Sequence, residues 1–118
     1  MTFMFEDLIV YKMAMEFVIK IYTACDAMKP PKKFKLIDQL ERAALSIPLN
    51  IAEGNGRAHF KEKRQYFHIA RGSLLECIPI ISLCKEIKLI SSDEYSSLYE
   101  LAENISRALS GLIKHFDR

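Results

Sequence analysis

The chain of 118 residues has no long hydrophobic run. Its longest stretch without a charge, residues 43–52, is ten residues, against the ~20 apolar residues that a bilayer span requires. No membrane crossing is expected from that criterion. Glycine and proline are scarce, at four each, and charged residues make up 27%; together these exclude a disordered or low-complexity chain. Cysteine is rare and odd in number, at three without a C-x-x-C pair. That fits reduced thiols in a cytoplasm better than a disulfide framework. Glu6 and Asp7 stand where an export signal would carry positive charge, so a cytoplasmic location is expected.

The motifs of common chemistries are missing too. There is no G-x-x-x-x-G-K-[ST] loop, no G-x-S-x-G elbow and no H-E-x-x-H pair. Cys77 and Cys84 are seven apart on one helix face, too distant to hold one ion without further ligands. Cys25, His59, His68 and His115 supply no i, i+4 pairing with them. The cysteines read best as small core residues. Nothing in the sequence sets a nucleophile beside a base. The expectation is therefore no enzyme, no metal and no cofactor.

What is present is a core and a pattern. Half of the residues are hydrophobic, enough for one domain spanning residues 1–118. Strand-like alternation occurs nowhere, and helical spacing recurs four times. In the first helix Leu8, Tyr11, Met15, Val18 and Tyr22 form one stripe, and Val10, Ala14, Phe17 and Ile21 a second. Only Lys12, Glu16 and Lys20 are charged there, so the helix is apolar on two faces and is expected to be buried twice, once against an oligomer partner. Pro30 and Pro31, set among lysines, break the chain. The second helix is expected over about residues 34–54, with Leu36, Leu40, Ala43, Ile47 and Ile51 inward and a kink at Pro48. Gly54-Asn55-Gly56 would end it by accepting a left-handed conformation. The third helix is expected over about residues 60–88, on Phe67, Ala70, Leu74, Cys77, Ile81 and Cys84, with a second kink at Pro79. Ser91 followed by Glu94 reads as a capping box for a fourth helix on Leu98, Leu101, Ile105, Leu109, Leu112 and Phe116. Short connections make neighbouring helices antiparallel, so the fold class is all-α, an antiparallel up-down-up-down four-helix bundle.

Charge is unevenly spread. The net +2 conceals ten Lys/Arg against four Asp/Glu in residues 29–71. Such a stretch reads either as a phosphate-facing surface or as an ordinary solvated hairpin. On the second helix Gln39, Arg42, Ser46, Asn50, Glu53 and Arg57 form one polar stripe beside the apolar one. Folded back antiparallel, it meets Arg71, Ser73 and Glu76, with Arg42 near Glu76, and with Ser46 and Asn50 near Tyr66 and Arg71. Buried polar groups persist only where they find partners, so Arg42, Ser46, Asn50, Glu53, Arg71, Ser73 and Glu76 form a candidate structural polar layer. Phosphate contact by the arginines and a small-molecule site are the alternatives.

The strings Q-L-E-R-A-A-L-S-I-P-L-N-I-A-E-G over residues 39–54 and I-A-R-G-S-L-L-E over residues 69–76 resemble the bacterial four-helix bundle family, as does F-E-D-L-I-V-Y-K near the start. This is the intervening-sequence protein family of large-subunit ribosomal RNA, also called the ribosomal S23 family, to which the accessory variability proteins of retroelements are related. The resemblance implies an antiparallel four-helix bundle, a homopentamer as assembly, and RNA, DNA or a reverse transcriptase or other protein as partners. It assigns no catalytic residue. Glu41 departs from the family pattern, in which a second arginine is frequent. Taken with the charge map, it points to an oligomeric, non-enzymatic accessory protein. Lys29, Lys32, Lys33, Lys35, Arg57, Lys61, Lys63 and Arg64 are the candidate nucleic-acid contacts. They fall at opposite ends of the second helix, ~30 Å apart at 1.5 Å per residue, as two basic rims. The alternative is a protein-interaction scaffold without nucleic-acid binding.

Overall fold

The computed structural model describes residues 3–29 and 33–117. Pro30, Pro31 and Lys32 lie outside the described residues. A short 3-10 turn (Met4–Asp7) precedes four helices: α1 (Ile9–Asp26), α2 (Phe34–Gly56), α3 (Phe60–Glu86) and α4 (Ser92–His115). No strand occurs among the described residues. α1 packs on α2 and α4, and α3 packs on α2 and α4, with no diagonal packing among the described residues. The helices therefore stand in a square in chain order, alternately up and down. The N-terminal turn rests on α1 and α2.

One hydrophobic cluster fills the interior. Of the two stripes on α1, the one through Val10, Ala14, Phe17 and Ile21 is buried, joined by Val18 and Cys25. α2 adds Ile37, Leu40, Ala43, Ala44, Ile47, Pro48 and Ile51. α3 gives Phe67, Ala70, Leu74, Cys77, Ile80, Ile81 and Cys84, and α4 gives Leu98, Ala102, Ile105 and Leu109. The spacing of three and four is what a single buried face of each helix demands. Helix α2 runs unbroken through the buried Pro48, and α3 through the exposed Pro79.

Two helix ends differ from expectation. α2 continues to Gly56, and none of its glycines adopts a positive φ. Gly54 is needed for closeness instead. It is buried, and a Cβ there would lie 2.8 Å from Phe67 Cε1 and 3.0 Å from Tyr66 Cβ. The left-handed residue lies elsewhere. α3 stops at Glu86, two residues short of Lys88, and Lys88 has φ 64°. The Leu89 N–H donates to the Cys84 carbonyl at 2.8 Å and the Lys88 N–H to the Lys85 carbonyl at 3.0 Å. This is a Schellman ending with lysine in the position glycine usually takes. The Ser91 capping box forms as the spacing requires: Ser91 Oγ accepts from the Glu94 N–H at 3.0 Å, and the Ser91 N–H donates to Glu94 Oε1 at 2.9 Å.

By length and composition α3 meets the requirements of a bilayer span, which counting charge-free residues did not reveal. Its hydropathy comes from two apolar faces. One is the core face above; the other side carries Ile69, Leu75 and Leu83, each exposed, followed by exposed Ile87 just past the helix end. Ile9 and Ile19 of α1, Phe34, Leu45 and Leu49 of α2, and Tyr99 of α4 are exposed as well.

Candidate functional site

Sequence placed seven residues in a polar layer between α2 and α3. The structure joins three of the seven. Ser46 Oγ and Ser73 Oγ are 2.9 Å apart across α2 and α3. Asn50 Nδ2 donates to both Ser46 Oγ (2.9 Å) and the Ser46 carbonyl (2.8 Å). These three groups are half-buried and mutually satisfied, as the interior requires.

The four charged members stay out of that layer. Arg42, with a side chain 80% exposed, pairs with Asp38 at 2.8 Å. Glu53 pairs with Arg57 at 2.9 Å in solvent, and Glu76 is exposed. Arg71 turns to α4, donating to Ser110 Oγ at 3.2 Å, with His68 Nδ1 also at 3.2 Å. No charged side chain is buried among the described residues; desolvating one without a close partner costs several kcal/mol, roughly. The expected neighbours were also displaced. Ser46 meets Ser73 rather than Arg71 or Tyr66, because α2 runs two residues beyond Gly54 and shifts the register of α3 against it.

The two basic rims differ in how far their cations are committed. At the end where α2 passes to α3, Arg57 donates to Glu53 Oε2 and to Tyr66 Oη at 2.8 Å, and its guanidinium stacks on the Tyr66 ring at 4.8 Å. The hydrogen bond that Arg57 donates to Glu53 holds its pKa above the ordinary arginine value, with Tyr66 adding to the effect. Lys63 Nζ donates to the Asn55 carbonyl at 2.8 Å and sits over the Phe116 ring. Arg64 donates to the Phe116 carbonyl. These three cations tie the end of the bundle together; Lys61 remains exposed.

At the opposite end, Lys29 and Lys33 face a cleft with two residues that sequence reading passed over, Lys85 and Lys88. The cleft, about 730 Å³, lies between Ala27, Lys29 and Lys33 on one side and residues of the α3–α4 connection on the other. Among the described residues Glu94 is the one carboxylate lining it, and its Oε1 is engaged by the Ser91 N–H. Lys35 lies nearby with Phe34, Leu83 and Ile87. Lys32, the remaining candidate, falls outside the described residues. The signal that could have found Lys85 and Lys88 was antiparallel topology, which returns the end of α3 to the start of α2.

No group of three or more His, Cys, Asp or Glu side chains able to hold a metal occurs among the described residues. The cysteines are all buried. Burial, with the nearby Glu76 charge, pushes the Cys77 thiol up to about 12, and burial also raises Cys84. Thiols held protonated in this way are poor nucleophiles.

The sequence matches the model of the 23S rRNA-intervening sequence proteins over residues 6–111. The chain belongs to that family. Its fold is shared with a Bacteroides thetaiotaomicron VPI-5482 protein of unknown function from the S23 ribosomal protein family, at a TM-score of 0.84 and 22% sequence identity. The likeness covers 90% of this chain and 99% of the Bacteroides chain. No curated protein is similar in sequence. For this member of the intervening-sequence family, the shared feature is thus the bundle itself. The distribution of lysines over its two ends has to be read from its own side chains.

Proposed function

We propose that this intervening-sequence family member is a non-enzymatic accessory protein that self-associates and contacts RNA or DNA through its basic ends. The observation that carries the reading is the convergence of Lys29, Lys33, Lys85 and Lys88 on one cleft. Three exposed ammonium groups, and a fourth on Lys85 beside Glu86, against the engaged Glu94 carboxylate make a local field that favours phosphate and is screened by salt. The end bearing Arg57, Lys63 and Arg64 is the weaker contact, since those cations are already bonded within the chain. The decisive test is retention of RNA and DNA at low and at moderate salt by wild type and by a Lys29→Glu/Lys33→Glu variant. Retention that falls steeply with salt and is lost in the variant supports the reading. No retention by wild type at low salt overturns it.

Self-association is supported by the exposed apolar side chains. Ile9 is 74% exposed, Leu49 58% and Leu75 57%, and they lie on three different helices. Apolar side chains exposed on several helices are what association of copies would cover. The resemblance noted from sequence favours five copies in a closed ring. The same surface supports the second reading, a scaffold on which a reverse transcriptase or other protein docks without nucleic acid.

A further inference from the structure

The lysine cleft has more than charge. Its apolar side is built by Ala27, Leu89 and Ile90, while Lys29, Lys33, Lys85 and Lys88 border it and the hydroxyls of Ser91 and Ser92 line the start of α4. Ile90 is buried and Leu89 half-buried, so the apolar side is firm, whereas Lys29, Lys33 and Lys88 are exposed and able to move onto a ligand. Lys85 is partly committed, with Nζ 4.4 Å from the Tyr95 ring centre and 3.8 Å from Glu86 Oε1. The volume of about 730 Å³ falls in the range of sites that take a small organic ligand. An apolar wall beside a cluster of ammonium groups suits a flat base or sugar attached to phosphate. It does not suit a rigid duplex, which could meet only the rim; in single strands bases are free to leave the stack.

Lys88 supplies a second, independent observation. It occupies a left-handed backbone position at φ 64°, where glycine removes the steric cost. Stability alone favours glycine there. Lysine gives the cleft one of its four cations instead.

We infer that this cleft is a binding site for a nucleoside phosphate, either free or as an unstacked nucleotide of a single strand. The strand-borne form rests on the nucleic-acid reading above; the free form does not. The experiment measures binding of AMP and of a short single-stranded RNA, beside a duplex of the same sequence, to the full chain at low salt. Wild type, Lys33→Glu and Lys88→Gly are compared, with melting temperature recorded for each. The inference expects AMP or the single strand to bind, the duplex to bind more weakly, Lys88→Gly to weaken binding by about tenfold, the loss of one charged phosphate contact, and Lys33→Glu to weaken it further by adding a repelling carboxylate. Lys88→Gly should at the same time raise the melting temperature, so that binding and stability move in opposite directions; a merely structural lysine would not do this. RNA binding that is unchanged in both variants overturns the cleft and confines the nucleic-acid reading to the opposite basic end. AMP binding that depends on Lys33, without RNA retention, supports the cleft as a free-nucleotide site and overturns the other reading. Binding of neither probe overturns both.

Discussion

Gly54 and Cys77 show how single side chains are constrained. Gly54 sits where a methyl group would strike Phe67, a ring 1% exposed. Because the ring has nowhere to go, Gly54→Ala should cost about 1–3 kcal/mol, as overpacking does. Gly111 also lies inside a helix, but nothing stands within 4 Å of its Cβ position. Gly111→Ala should therefore stabilise by ~0.5–1 kcal/mol. Paired denaturant titrations check both signs, and a stabilising Gly54→Ala would show that α2 and α3 can part. Cys77 makes a pH prediction. Its thiol is held protonated up to about 12 by burial, while in the unfolded chain it ionises near 9. Below pH 9 both states keep the proton and stability is flat in this group. Between about 9 and 12 the unfolded state loses the proton first, so stability falls, on the order of 1 kcal/mol per pH unit. Cys77→Ala should reduce the alkaline slope relative to wild type in titrations at pH 8, 9 and 10. An identical slope would mean that Cys77 ionises inside the folded protein.

Between elements, the α2–α3 contact carries the polar join. Ser46, Asn50 and Ser73 satisfy one another across it, and so fix the register that the apolar residues on either side would tolerate at neighbouring settings. Each serine-to-alanine change removes one partner from a half-buried hydrogen bond, at roughly 1 kcal/mol. A double-mutant cycle of Ser46→Ala and Ser73→Ala should show positive coupling of a similar size. Additive effects would mean that the two hydroxyls are satisfied separately by solvent. By contrast, Glu53→Ala breaks an ion pair that lies in solvent and should barely move the melting temperature of the separate chain. If it dissociates an assembly, Glu53 acts between copies.

For the whole molecule, the exposed apolar faces of α1, α2 and α3 set the clearest prediction. Light scattering should report about five times the chain mass of 13.6 kDa, and Leu75→Glu or Ile9→Glu should lower that mass while leaving the helix content intact. A monomer at micromolar concentration would refute self-association and leave the outer face of α3 unexplained.

Periodicity alone determined the four helices, most of their core residues and the Ser91 cap, because helical burial repeats every three to four residues and capping is a local matter. The family resemblance was legible for a different reason, since residues 39–54 and 69–76 are contiguous strings. Register was not local. Where α3 meets α2 depends on how far α2 runs, and Gly54 ended up as a contact surface rather than a helix terminator. Charge was legible as a count and misleading as a map. Arg57, Lys63 and Arg64 looked free in sequence and are bonded in the fold. Lys85 and Lys88 looked unremarkable beside Glu86 and reach the cleft only because antiparallel packing brings the end of α3 back to Lys29 and Lys33. Sequence lists the charges; the distances that decide which of them act together exist only once the chain has folded.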